Sequence, residues 1–157
     1  MTTPQLETLT ELKLTDGLKR LINESYVPND HPILIAYVDA ENRPSASFRG
    51  SALAYSDSQI AVWARSAEAG LPRAVAANPQ VVLIYREPGG EGGFSRAVVT
   101  FRGRAHVTTA PAARKRVYET MPQRERDADK EMSGVAIIVE LDSVTGRIPG
   151  YRLDMRR

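Results

Sequence analysis

The spacing of apolar and polar positions changes several times along the chain, and each change marks an element. Leu18, Leu21 and Ile22 recur at helical spacing behind Thr15, a good N-cap, and predict a first helix running to about Ser25. Val27-Pro28-Asn29-Asp30 breaks it. Beyond Pro32 the chain turns to short extended runs at Ile33–Asp39, Pro44–Gly50, Ser51–Tyr55 and Gln59–Arg65, with turn residues at Ala40-Glu41-Asn42 and Ser56-Asp57-Ser58. Residues 70–79, GLPRAVAANP, predict a short helix: Pro72 fits its first turn, alanines fill it and Asn78-Pro79 stops it. Val81–Tyr85 is apolar throughout and reads as a strand buried on both faces.

Gly89, Gly90, Gly92 and Gly93 make 87–95 a flexible loop, too short for a domain linker. Arg96–Thr108 reads as one long strand, Pro111–Met121 as an amphipathic helix and Arg124–Glu131 as a further helical turn or two. Val135–Leu141 is a strand, and Val144–Met155 a closing strand bent at Gly146 and Gly150. Short strands joined by tight turns argue for an antiparallel meander, and closure would remove its exposed edges. The expected fold is mainly β, a six- or seven-stranded antiparallel split barrel with flanking helices. Its 157 residues suit one domain, with 1–13 as a loose N-terminal arm.

Composition narrows the chemistry. With no cysteine, disulfides, thiolate metal sites and a Cys nucleophile are excluded together. Only His31 and His106 are available, so a metal site would rest on carboxylates and a Ser-His triad has little material. No apolar run approaches the ~20 residues of a membrane helix, and the N-terminus lacks the regions of a secretory signal. Those two features set the expectation of a cytoplasmic protein. The net charge of +2 is spread among acids without a dense basic run, which argues against a nucleic-acid partner. Arginines far outnumber the four lysines, and guanidinium forks suit phosphate contacts. For most of them a solvated surface role is the simpler reading.

Three features converge between Arg43 and Arg86. Arg49-Gly50-Ser51 sits within the meander, where a glycine is costly unless something approaches the backbone closely. Its simpler reading is a bulge with a surface arginine. Val62-Trp63-Ala64-Arg65-Ser66 ends a strand on a small residue, an arginine and a serine, with Trp63 as core packing and a candidate pocket wall. The helix start Gly70-Leu71-Pro72-Arg73 offers free N–H groups to an anion, and a cation there costs about 0.3–1 kcal/mol unless an anion is near. Arg73 pointing to water accounts for it equally well.

The stretch RPSASFRGSALAYSDSQIAVWARSAEAGLPRAVAANPQVVLIYREP, followed by FRGRAHV at Phe101–Val107, resembles the pyridoxamine-phosphate-oxidase-like family of flavin-binding split barrels. The resemblance spans about Ile33 to Val107 and extends through Gly134–Leu141. It implies that Arg49, Gly50 and Ser51 line the flavin ring and phosphate, and that Ala64, Arg65 and Ser66 contact the cofactor. Two positions depart from the pattern: Leu71 stands where a phosphate-binding Lys is common, leaving that charge to Arg65 or Arg73, and Val98 stands for a ring-contacting Gln. The Arg-x-His that binds pyridoxamine in the true oxidase has no match near Gly150–Arg157, which speaks against vitamin B6 chemistry.

The resemblance therefore implies noncovalent FMN, a flavin-dependent oxidoreductase acting on a small molecule, and a homodimer with cofactor at the interface. The alternatives are F420 or haem on the same barrel, or a non-enzymatic cofactor-binding or stress-response module. The expected cofactor-binding set is Arg49, Gly50, Ser51, Trp63, Ala64, Arg65, Ser66, Leu71, Pro72 and Arg73.

Overall fold

A computed structural model describes residues 5–157. In chain order the elements are β1 (Glu7–Leu9), α1 (Asp16–Asn23), β2 (Ile33–Val38), β3 (Pro44–Arg49), β4 (Leu53–Ser56), β5 (Gln59–Ala64), α2 (Leu71–Ala77) and β6 (Gln80–Glu87). After a single 3₁₀ turn come β7 (Ala97–Thr108), α3 (Pro111–Thr120), α4 (Gln123–Asp127), β8 (Val135–Ile148) and β9 (Tyr151–Arg156). Each predicted helix forms. Thr15 caps α1, its hydroxyl accepting from the Leu18 amide at 3.3 Å, and buries Leu18 and Ile22.

The 14-residue strand β8 organises the sheet. Strand β7 runs along one edge of it. The other edge is shared: Val135 to Glu140 pair with β5, and Ser143 to Ile148 pair with β9. A bulge at Asp142 separates the two halves, since Gly103 faces Leu141 while Arg102 faces Ser143. The extra residue reverses which side chains point inward, so Leu141 and Val144 both enter the main core. Gly103 is required there because a Cβ would run into the Glu140 carbonyl.

The sheet order is β1-β9-β8-β7-β6-β2-β3, with β4 attached only to β5, so the barrel stays split between β3 and β4. The described residues form nine strands, more than the six or seven expected. The closing segment is the second half of β8 plus β9, turning at Pro149-Gly150. The other addition lies in the segment expected to be a loose arm: Glu7–Leu9 pairs in parallel with β9. Residues 1–4 of that arm lie outside the described residues.

Two apolar clusters hold the fold. The barrel interior collects the inward residues of the sheet together with Leu14, with Leu18 and Ile22 of α1, and with Leu71 and Val75 of α2. A second layer lies outside β5 and β8, where Ala61, Trp63, Ala136 and Ile138 meet Val117 and Met121 around α3. On β2 and β6 the outward residues Leu34, Ala36, Val38, Val82 and Ile84 are half-buried and belong to neither cluster. Among the described residues, no helix is long and apolar enough to cross a membrane.

Candidate functional site

Strand β3 is an edge strand, and its alternation decides what it offers. Arg49 and Ser47 pair with Ile33 and Ile35, so they share the inward side of β2, while Phe48 points outward and is 70% exposed. At the end of β3 the chain turns through Gly50 and Ser51 rather than continuing as a strand. A cavity of about 330 Å³ opens there, lined by Ser47, Phe48, Arg49, Gly50, Ser51, Trp63, Arg65 and Glu125.

Arg49 is the unusual member. Its Nε is buried and has no hydrogen-bond partner among the described residues, and the same holds for the Ser47 hydroxyl. Burial lowers the Arg49 pKa, with the Arg65 charge acting in the same direction, while Tyr37 and Glu125 oppose the shift. Buried donors without acceptors are uncommon because each forfeits its hydration. The Arg65 guanidinium reaches the same cavity, 3.6 Å from the Glu125 carboxylate, with side chains 60% and 16% exposed respectively.

Gly50 and Ser51 are occupied by the protein itself. A Cβ on Gly50 would lie 2.5 Å from Glu125 Oε1 and from the Tyr26 ring, so the close approach that requires glycine comes from this chain's own side chains. Ser51 is buried; its hydroxyl accepts from the Trp63 amide at 2.9 Å and donates to the Trp63 carbonyl at 3.3 Å. It therefore laces the turn to β5 and keeps no donor for a ligand.

Trp63 is both core and wall. Its Nε1 donates to Asp129 Oδ2 at 2.9 Å, its ring meets Tyr118 edge-on at 5.4 Å, and the Arg114 guanidinium lies 5.5 Å from its centroid. Asp129 also accepts from the amides of Ser133 and Gly134, each at 2.9 Å. Burial pushes the Asp129 pKa up, but these hydrogen bonds and the Arg114 charge outweigh it, so the carboxyl titrates below its usual range.

The remaining expected site residues lie elsewhere. Ala64 is buried in the barrel interior, and Ser66 is exposed past the end of β5. Leu71 is a core residue, Pro72 is buried and Arg73 is exposed; none of the three lines the cavity. The start of α2 thus contributes apolar packing and no charge to the Arg49–Arg65 corner. Sequence reasoning missed Ser47, Phe48 and Glu125. The period of two along β3 carries a signal for Ser47, two residues before Arg49. Glu125 has none, since it arrives from α4, 60 residues beyond Arg65.

His31 packs edge-on against Tyr85 with centroids 6.4 Å apart, and His106 is exposed on β7; neither lines the cavity. Among the described residues there is no cluster of three His, Asp or Glu side chains able to hold a metal.

No protein-family model matches the chain, and no curated protein matches it in sequence. Solved structures do match in shape. An FMN-binding protein from Syntrophomonas wolfei superposes with a TM-score of 0.64 at 9% identity, over 82% of each chain. A proposed pyridoxamine 5'-phosphate oxidase from Lactobacillus delbrueckii gives 0.57 at 14% identity, over 87% of this chain and 96% of that one. HutZ, a heme storage protein from Vibrio cholerae, gives 0.61 at 20% identity, over 85% of this chain and 94% of that one. The chain has the fold of the pyridoxamine-phosphate-oxidase-like split barrels.

Proposed function

We propose that this protein binds FMN noncovalently at the Arg49–Arg65 corner and acts as a flavin-dependent oxidoreductase on a small molecule. The observation that carries the reading is Arg49, a half-buried arginine that lines the cavity and whose buried Nε has no acceptor among the described residues. A phosphate in the cavity would take charge-assisted hydrogen bonds from this guanidinium. Arg65 adds a second guanidinium to the same cavity. Trp63, pinned by Asp129, gives a rigid aromatic side to the same cavity. When bound, FMN supplies hydride chemistry, and the protein supplies position and charge. FMN is favoured over haem because the corner presents guanidinium groups and neither histidine lines it.

A homodimer belongs to the same reading. The cavity is near the lower end of the ~300–1,000 Å³ usual for ligand sites, and it opens at the free edge of β3 beside exposed Phe48. The adjoining outward face of β2 and β6 carries Leu34, Ala36, Val38, Val82 and Ile84 in neither core cluster. A second copy packed there would cover these residues and wall the cavity.

The test is a titration of purified protein with FMN, followed by its flavin absorbance near ~450 nm and by melting temperature. Retained colour, or a melting temperature that rises with FMN, is the expected result. Colourless protein with an unmoved melting temperature defeats the proposal.

A further inference from the structure

We infer that Glu125 is an internal competitor for the ligand's phosphate and sets the charge selectivity of the corner. The inference rests on reading that corner as a phosphate site. Glu125 Oε1 lies against Gly50, its other oxygen lies 3.6 Å from Arg65, and its side chain is largely buried in the same cavity as Arg49. A carboxylate of the protein therefore already occupies this cavity, 3.6 Å from Arg65 and close enough to Arg49 to act on its charge.

Its fit is incomplete. With Glu125 in place, the Arg49 Nε and the Ser47 hydroxyl still have no partner among the described residues. A tethered carboxylate brings two oxygens and one charge to this cavity, whereas a phosphate monoester brings three oxygens and more charge to the two guanidinium groups that line it. A ligand ending in a single carboxylate gains little over the resident one. A phosphate monoester outcompetes it for Arg49 and Arg65 and releases Glu125 toward solvent.

The helix carrying Glu125 does not depend on it. Arg126 secures α4 by donating to the Glu119 carbonyl at 2.9 Å, to the Met121 carbonyl and to Gln123 Oε1 at 2.7 Å. Arg124 lies over the Tyr26 ring at 5.2 Å. The Glu125 side chain can leave the corner while α4 keeps these contacts.

The experiment compares the full-length protein with Glu125→Gln and Glu125→Ala, titrating each with FMN, riboflavin and inorganic phosphate by calorimetry. Both substitutions should tighten FMN and inorganic phosphate about tenfold, the size of one partly screened like-charge contact, and leave riboflavin unchanged. Wild-type binding of FMN with no tightening in either variant overturns the role of Glu125 and leaves the flavin reading standing. Equal tightening of riboflavin also overturns it, because the effect would not act through phosphate. Tightening of inorganic phosphate where no form binds FMN supports the role of Glu125 and removes the flavin.

Discussion

The β5–β8 side of the sheet and the β2–β3–β6 side are built from similar apolar strands but finished differently. On β5 every residue from Ile60 to Ala64 is buried. Ile60, Val62 and Ala64 enter the barrel, while Ala61 and Trp63 enter the layer around α3. On β2 and β6 the inward set Ile33, Ile35, Val81, Leu83 and Tyr85 is equally buried, yet the outward set stays half-open. Apolar side chains on both faces of a strand call for a layer on each side. The described residues provide a second layer on one side only. The cavity lined by Arg49 lies beside the unfinished half, at the free edge of β3.

That contrast can be broken most strongly at Trp63. Trp63→Ala removes the ring joining the second layer to the cavity wall and should cost about 3–5 kcal/mol of stability, read by chemical denaturation. A loss below about 1 kcal/mol would mean that α3 is not a structural layer.

Arg49→Ala addresses the unfinished side. It should weaken FMN about a hundredfold, the worth of charged hydrogen bonds of about 1.5–3 kcal/mol, with the melting temperature held or raised. Unchanged FMN affinity would remove Arg49 from the site.

Asp129→Asn should cost about 1–3 kcal/mol, because three N–H donors lose their carboxylate. The Asp129 pKa is lowered in the fold, so its stabilisation is full above the unfolded value of about 3.9 and disappears as pH falls through the folded value. The gap between wild type and variant should therefore close in acid and stay constant near neutrality. A gap independent of pH would show that charge at Asp129 is not what matters.

Ile84→Glu should have the smallest effect on the isolated fold, within about 1 kcal/mol for a partly exposed position. It should nevertheless shift sedimentation from dimer to monomer. A wild-type protein that sediments as a monomer would mean that the bare face has no second copy to meet.

Legibility in the sequence followed the range of the interactions. The Thr15 cap, the turn at Ala40-Glu41-Asn42, the 70–79 helix and the long strand after the glycine loop depend on neighbours a few residues away, and each formed where the pattern placed it. Arg49 and Arg65 were legible as candidates because strand ends and guanidinium groups can be read locally. Their convergence with Trp63 on one cavity could be expected only through the family resemblance. Gly50 and Ser51 stand out in the sequence, but what they meet in the fold is the Trp63 backbone, Tyr26 and Glu125.

Taken alone, the order of residues determined where helices and strands lie and which positions want burial, because periodicity and turn chemistry act over one or two turns of chain. Tertiary structure alone decided that β8 is shared by β5 and β9, that Asp142 reverses its faces, and that Glu125 faces Arg65. Those outcomes join residues tens of positions apart, and their geometry exists only once the whole sheet has packed around its core.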